Sequence, residues 1–141
     1  MKLPYYAKPN PWFFKYIPIL RSSRGNYFPF ATYLRQDIYK DLKSKNPSAE
    51  SLSVWIHEQS HRKSGKNLGW LMFGLKYWFS RRFRFEEELA GYIAMMPILK
   101  KNGVKFDFDG VAKALSGGFY QWATNYKTAR KELDSAWKKI K

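Results

Sequence analysis

Val54-Trp55-Ile56-His57-Glu58-Gln59-Ser60-His61 decides how this chain is read. It holds both of the protein's histidines, four residues apart, with a glutamate directly after the first. On an α-helix, residues four apart lie on one face, one turn from each other. Two imidazoles so placed can bind one Zn2+ at about 2.0–2.1 Å. Glu58 then sits close enough to reach a water at that metal and take its proton. His57 and His61 are therefore candidate metal ligands and Glu58 the candidate catalytic base. The competing reading is a surface helix carrying two ordinary histidines. Ser48 or Ser51 caps the helix, which is expected to run to about Lys63 and stop before Gly65. Val54, His57, Glu58 and His61 share one side, and Leu52, Trp55, Ile56 and Gln59 take the rest, as in a helix buried on both sides.

A catalytic zinc needs a third protein ligand. With no cysteine in the chain, that ligand has to be a carboxylate. Residues 83–101 read as a second long helix carrying Glu86-Glu87-Glu88. Phe85, Leu89, Tyr92, Ile93 and Met96 form a bulky face. Glu87, Ala90, Gly91 and Ala94 form a face of small residues that lets another helix approach closely. On that pattern Glu87 points at the neighbour and is the expected third ligand, with Glu86 and Glu88 about 100° to either side as alternatives. The plain reading of the three carboxylates is a solvated first turn favoured by the helix dipole. Tyr92 and Arg84 are candidate transition-state stabilisers through their nearness to Glu87.

Composition bounds the rest. The chain has 141 residues, enough for one core. Its 45% hydrophobic and 19% aromatic content excludes a wholly disordered chain. The net charge of +15 is spread along the sequence rather than gathered in a tail. A charge of this size favours nucleic acid, an anionic surface or an acidic protein as partner, against the plain alternative of a solvated basic surface. No apolar segment at the start resembles a secretory signal, and no run is long enough to span a bilayer. A cytoplasmic or virion-associated location is expected.

Residues 1–29 contain five of the seven prolines together with Trp12, Phe13, Phe14 and Tyr16. They read as an extended arm lying on the body, with a turn over residues 22–26, and as a surface for protein assembly. Residues 30–141 form the domain proper. Phe30, Thr32 and Leu34 alternate, as do Ile38, Lys40 and Leu42, which favours two short strands over a helix. Residues 67–80 are apolar almost all round. The preferred reading is a core helix followed by a solvated turn at Arg81, Arg82 and Arg84, with a lipid or nucleic-acid surface as the alternative. Pro97 falls inside the second long helix, Asn102-Gly103 ends it, Asp107 or Asp109 caps a short helix over 110–116, and a last amphipathic helix runs from about 124–125 to 140.

His57-Glu58-Gln59-Ser60-His61 together with Arg84-Phe85-Glu86-Glu87-Glu88-Leu89-Ala90 resembles the gluzincin-type zinc metallopeptidases. The second segment is similar to the Arg-x-x-Glu-x-x-Ala stretch of the membrane-associated CAAX-prenyl-protease and heat-shock-protease group, in which the Glu aligned with Glu87 is the metal ligand. Gly91 stands where that group carries Asp. The resemblance covers about residues 54–94 and is closer in style to compact zincin-like proteins of bacteria and their phages. It implies an α+β, helix-dominated fold with a short antiparallel sheet and zinc held between two helices. It also implies hydrolysis of a peptide or protein substrate. Two other functions compete with it: a structural or assembly protein, such as a virion component, that keeps a zincin core without turnover, and a protease recruited to nucleic acid by its basic surface.

Overall fold

The computed structural model describes residues 2–17, 20–21 and 23–140; Pro18 of the proline-rich stretch and Ser22 of the turn lie outside them. Three short strands come first: β1 (Ala7–Pro9), β2 (Gly25–Tyr27) and β3 (Thr32–Leu34). A 3-10 turn over Trp12–Tyr16, with Phe14 buried, lies in the crossover between β1 and β2. The sheet order is β1-β3-β2. β2 and β3 are antiparallel, with Asn26 opposite Tyr33. Phe28 and Ala31 exchange backbone hydrogen bonds of 2.8 and 3.2 Å at their turn. β1 runs parallel to β3, with Ala7 opposite Thr32. The expected antiparallel sheet is thus a mixed one, because the chain crosses over after β1 before it returns as β2 and β3. Two of the three strands come from residues 1–29, so the expected arm forms part of the sheet.

Six α-helices follow among the described residues: α1 (Gln36–Lys43), α2 (Ala49–Leu68), α3 (Trp70–Phe79), α4 (Arg81–Lys101), α5 (Phe108–Ser116) and α6 (Tyr126–Lys139). The fold is α+β with helices dominant. The strand expected over 38–42 is α1. Ile38 and Leu42, one helical turn apart, are both buried and pack with Leu34 and Val54 in one of two apolar clusters. The second cluster joins Met96 and Leu99 of α4 to Ala112 and Leu115 of α5 and Ala129 and Leu133 of α6. Asp107 caps α5, accepting the Gly110 N–H at 2.9 Å, and Asn125 caps α6, accepting the Thr128 N–H at 2.9 Å.

α2 starts where expected, with Ser48 Oγ accepting the Ser51 N–H at 3.2 Å. It does not stop before Gly65. A side chain at Gly65 would run into the Tyr27 ring, so this glycine serves helix–strand packing. The helix ends instead at Gly69, whose φ of 85° suits glycine. α3 departs furthest from its expected role. Phe73 is its only buried residue, and Trp70, Leu71, Met72, Leu75, Trp78 and Phe79 are exposed. The apolar residues are too many for a ten-residue helix that meets the body along one stripe. Among the described residues, no helix is long and apolar enough to cross a membrane.

Candidate metal centre

α2 packs most extensively against α4, and the centre lies between these two helices. His57 and His61 project from α2 as neighbours one turn apart. Their Nε2 atoms are 3.1 Å apart. Two nitrogens on one tetrahedral zinc at 2.0–2.1 Å would be separated by roughly 3.3 Å. The carboxylate that meets both is Glu88 of α4. Its Oε2 lies 3.4 Å from His57 Nε2, and its Oε1 lies 3.5 Å from His61 Nε2. One donor atom from each of the three residues fits within 4.8 Å, and all three side chains are buried. This group can hold a metal ion. Glu88 Oε2 has no hydrogen-bond partner among the described residues. Buried polar atoms are ordinarily partnered, so the arrangement of donors suits a bound cation. Two imidazoles and one carboxylate are also a donor set that zinc accepts.

The sequence-based expectation named Glu87, and the structure places it differently. Glu87 Oε2 lies 3.6 Å from His61 Nδ1, the ring nitrogen turned away from the cluster. It is half-buried and stands behind His61 rather than beside the two Nε2 atoms. The correction has a simple cause. Gly91 marks the closest approach of α4 to α2: a Cβ there would lie 2.7 Å from His57 Cε1. The buried stripe of α4 through this approach is Arg84, Glu88 and Gly91, so Glu88 rather than Glu87 faces the two rings. Ala90, grouped with Glu87 in the small-residue face, is exposed. Glu86 faces solvent and pairs with Arg82 at 2.8 Å.

The approach at Gly91 makes a test of the geometry. Gly91→Ala is expected to push the His57 ring aside, lowering metal affinity by about tenfold and stability by about 1–3 kcal/mol. Gly74→Ala, whose Cβ would have nothing within 4 Å, is expected to leave metal affinity unchanged. Competition against a zinc chelator and a thermal melt would read both variants. Equal affinity in Gly91→Ala and wild type would mean that His57 does not depend on this contact.

Electrostatics tie the cluster together. Burial opposes protonation of His61, yet the surrounding carboxylates, Glu88 first, raise it to about 9. Burial alone would raise Glu88, but His61, His57 and the Tyr77 hydroxyl hold it down at about 2. Glu58 is also buried. Desolvation raises its pKa against the pull of His57 and His61, and Glu88 adds to the rise. Glu58 packs under the start of β2, where a Cβ on Gly25 would lie 2.7 Å from its Cγ and Oε1.

Two cavities meet at this group. One of about 340 Å3 is lined by His57, Glu58, His61 and Glu88 together with β2 and α3. The other, of about 510 Å3, reaches His57 and Glu58 from the side of α5. Phe119 and Tyr120 line both. They come from a second 3-10 turn, Gly118–Tyr120, which precedes Gln121 and Trp122, both at positive φ (53° and 50°).

Tyr92 stands beside the centre. Its ring centroid is 4.8 Å from that of His57, and its hydroxyl is 3.1 Å from that of Tyr120. Burial pushes both phenols upward, and Glu88 adds to the rise in each. Arg84 is buried on the same face as Glu88, but its guanidinium is turned to the backbone. Its Nε donates to the Tyr120 carbonyl at 3.0 Å, and its Nη1 donates to the carbonyls of Tyr77 and Trp78. The position thus anchors the Tyr120 turn to the end of α3. Two site residues escaped the sequence reading: Tyr77, whose hydroxyl donates to Glu88 Oε1, and Tyr120. Tyr77 sits one turn after the buried Phe73, the only signal that would have pointed it inward.

The chain matches no family model, no curated protein and no solved structure. The functional reading rests on this geometry.

Proposed function

We propose that the protein is a zinc-dependent metallopeptidase with a zincin-like core, in which His57, His61 and Glu88 hold the metal and Glu58 is the base. The observation that carries this reading is the buried His57–His61–Glu88 group, open to a cavity on the side where Glu58 lies. Zinc held there supplies Lewis acidity, lowering the pKa of water and polarising a carbonyl. Glu58 takes a proton from the attacking water as the carbon–oxygen bond forms. It delivers that proton to the amine nitrogen as the carbon–nitrogen bond breaks. Glu87 Oε2, 3.6 Å from His61 Nδ1, is placed to orient that ring once the pair closes to hydrogen-bond distance, the usual role of a carboxylate behind a ligating imidazole. Tyr77 holds the Glu88 carboxylate by its hydroxyl. Tyr92 and Tyr120, hydrogen-bonded to each other, line the second cavity beside His57 and Glu58, and the pair has one hydroxyl proton left to donate to the developing oxyanion.

A peptide suits the site because β2 is an edge strand. Asn26 and Phe28 turn their backbone groups to β3, so by the antiparallel alternation those of Gly25 and Tyr27 face outward, the Gly25 carbonyl accepting from the Ser23 hydroxyl. Both residues line the cavity that holds the centre. An extended substrate paired with this edge would pass beside Glu58.

The test is a denatured-proteome digest read by mass spectrometry for new N-termini. The zinc-loaded protein is expected to generate them, a chelator to stop their formation and added zinc to restore it. No new termini from protein carrying about one zinc per chain would reject peptide hydrolysis and favour the reading of an assembly protein that keeps the core.

A further inference from the structure

The outer face of α3 is an exposed apolar surface that none of the three proposed metal ligands belongs to. At 100° per residue, Leu71, Met72, Leu75, Trp78 and Phe79 fall on one side of the helix. All five are exposed, Phe79 at 85%, Trp78 at 62% and Leu71 at 60%. Phe30, 81% exposed, extends this face through its ring contact with Trp70, 6.3 Å between centroids. Exposed apolar patches of this kind mark interaction sites in soluble proteins.

The charge around the face is of one sign. From Gln59 to Phe85 the chain has no acidic residue and seven basic ones. Lys66 at the end of α2, Lys76 on α3, and Arg81 and Arg82 at the start of α4 are all exposed. Glu86 offsets only Arg82. A short helix with bulky aromatic and aliphatic side chains on one side and cations at its margins has the composition of an interfacial helix.

We propose that α3, extended by Phe30, docks the protein on the surface of an anionic lipid bilayer. The apolar side chains enter the boundary between headgroups and acyl chains, and Lys66, Lys76, Arg81 and Arg82 meet lipid phosphates. A second copy of the chain fits poorly, because a +15 protein would bring the same cations against each other. Nucleic acid fits less well, because the aliphatic Leu71, Met72 and Leu75 separate the rings of Phe30 and Trp70 from those of Trp78 and Phe79 and break up a stacking platform. The face is continuous with the metal cavity, since Trp70 and Trp78 line its wall. Docking requires no turnover, and its test is separate from that of the hydrolytic reading.

The experiment is co-sedimentation of the full chain with vesicles of phosphatidylcholine alone or mixed with phosphatidylglycerol. The protein is expected to bind the mixed vesicles, with partial weakening in high salt. Leu71→Glu combined with Phe79→Glu should lower partitioning by about tenfold or more. Lys131→Glu, exposed on α6, changes the net charge equally and should lower it far less. Brominated lipid in the mixed vesicles should quench tryptophan emission of the unaltered protein. Equal losses in the two variants would overturn the proposal. So would equal binding to neutral vesicles, the absence of quenching, or a preference for single-stranded DNA lost in the α3 variant.

Discussion

Glu88→Gln is expected to abolish stoichiometric zinc binding, whereas Glu87→Gln retains about one zinc per chain with affinity weakened by about 10–100-fold. The difference follows from which ring nitrogen each carboxylate meets. Glu88 offers its two oxygens to the two Nε2 atoms, at 3.4 and 3.5 Å, and those nitrogens face each other at 3.1 Å. Removing its charge leaves two neutral imidazoles, too few ligands for a closed set of three. Glu87 meets only Nδ1 of His61, at 3.6 Å. Its loss frees the ring orientation without removing a donor. Gln keeps the shape of Glu in both cases, so packing changes little. Metal content by mass spectrometry, with circular dichroism to check the fold, separates the outcomes. Zinc retained in Glu88→Gln and lost in Glu87→Gln would reverse the assignment. No zinc in unaltered protein after loading would remove the metal centre altogether.

The sequence carries the first half of this centre plainly and the second half only by degrees. The His57–His61 spacing, the Ser48 cap and the polar break before it all agree on α2, and no competing pattern disturbs them. α4 carries three adjacent carboxylates, and a helix turns only about 100° between them. Choosing among them needs the rotation of α4 against α2, which tertiary packing sets. Gly91 alone does not separate them, because the residues three and four before it share its face; the buried stripe Arg84, Glu88 and Gly91 shows the rotation. β1 and β2 span three residues each, too few for alternation to stand out in a proline-rich stretch. The alternation of 38, 40 and 42 favours a strand for α1, yet Ile38 and Leu42 also stand four apart, and both are buried while Lys40 between them is exposed, which decides for the helix. The exposure of α3 was the least legible feature. Hydrophobicity says that a segment leaves water and does not say whether protein or another phase receives it.

Glu58→Gln is the substitution with the largest expected effect on catalysis alone. It should leave about one zinc per chain and lower kcat by about two to four orders of magnitude. Glu58 is not among the three donors that converge, so zinc retention is the first half of the expectation. It lies one residue after His57 on α2 and lines both cavities that reach the centre, where a water attacking a peptide carbonyl must lose a proton. Gln can hydrogen-bond that water but cannot accept the proton, so binding survives and turnover falls. The choice of Gln matters because Gly25 packs directly on the Glu58 Cγ and Oε1. A longer side chain would press on β2, and a shorter one would leave a hole beside it, confusing a structural effect with a chemical one. Turnover of a cleaved peptide found in the proteome digest, measured beside zinc content, reads both halves. Undiminished kcat would remove Glu58 as the base and turn attention to the Tyr92–Tyr120 pair. Loss of zinc would mean that Glu58 supports the metal rather than the proton transfer.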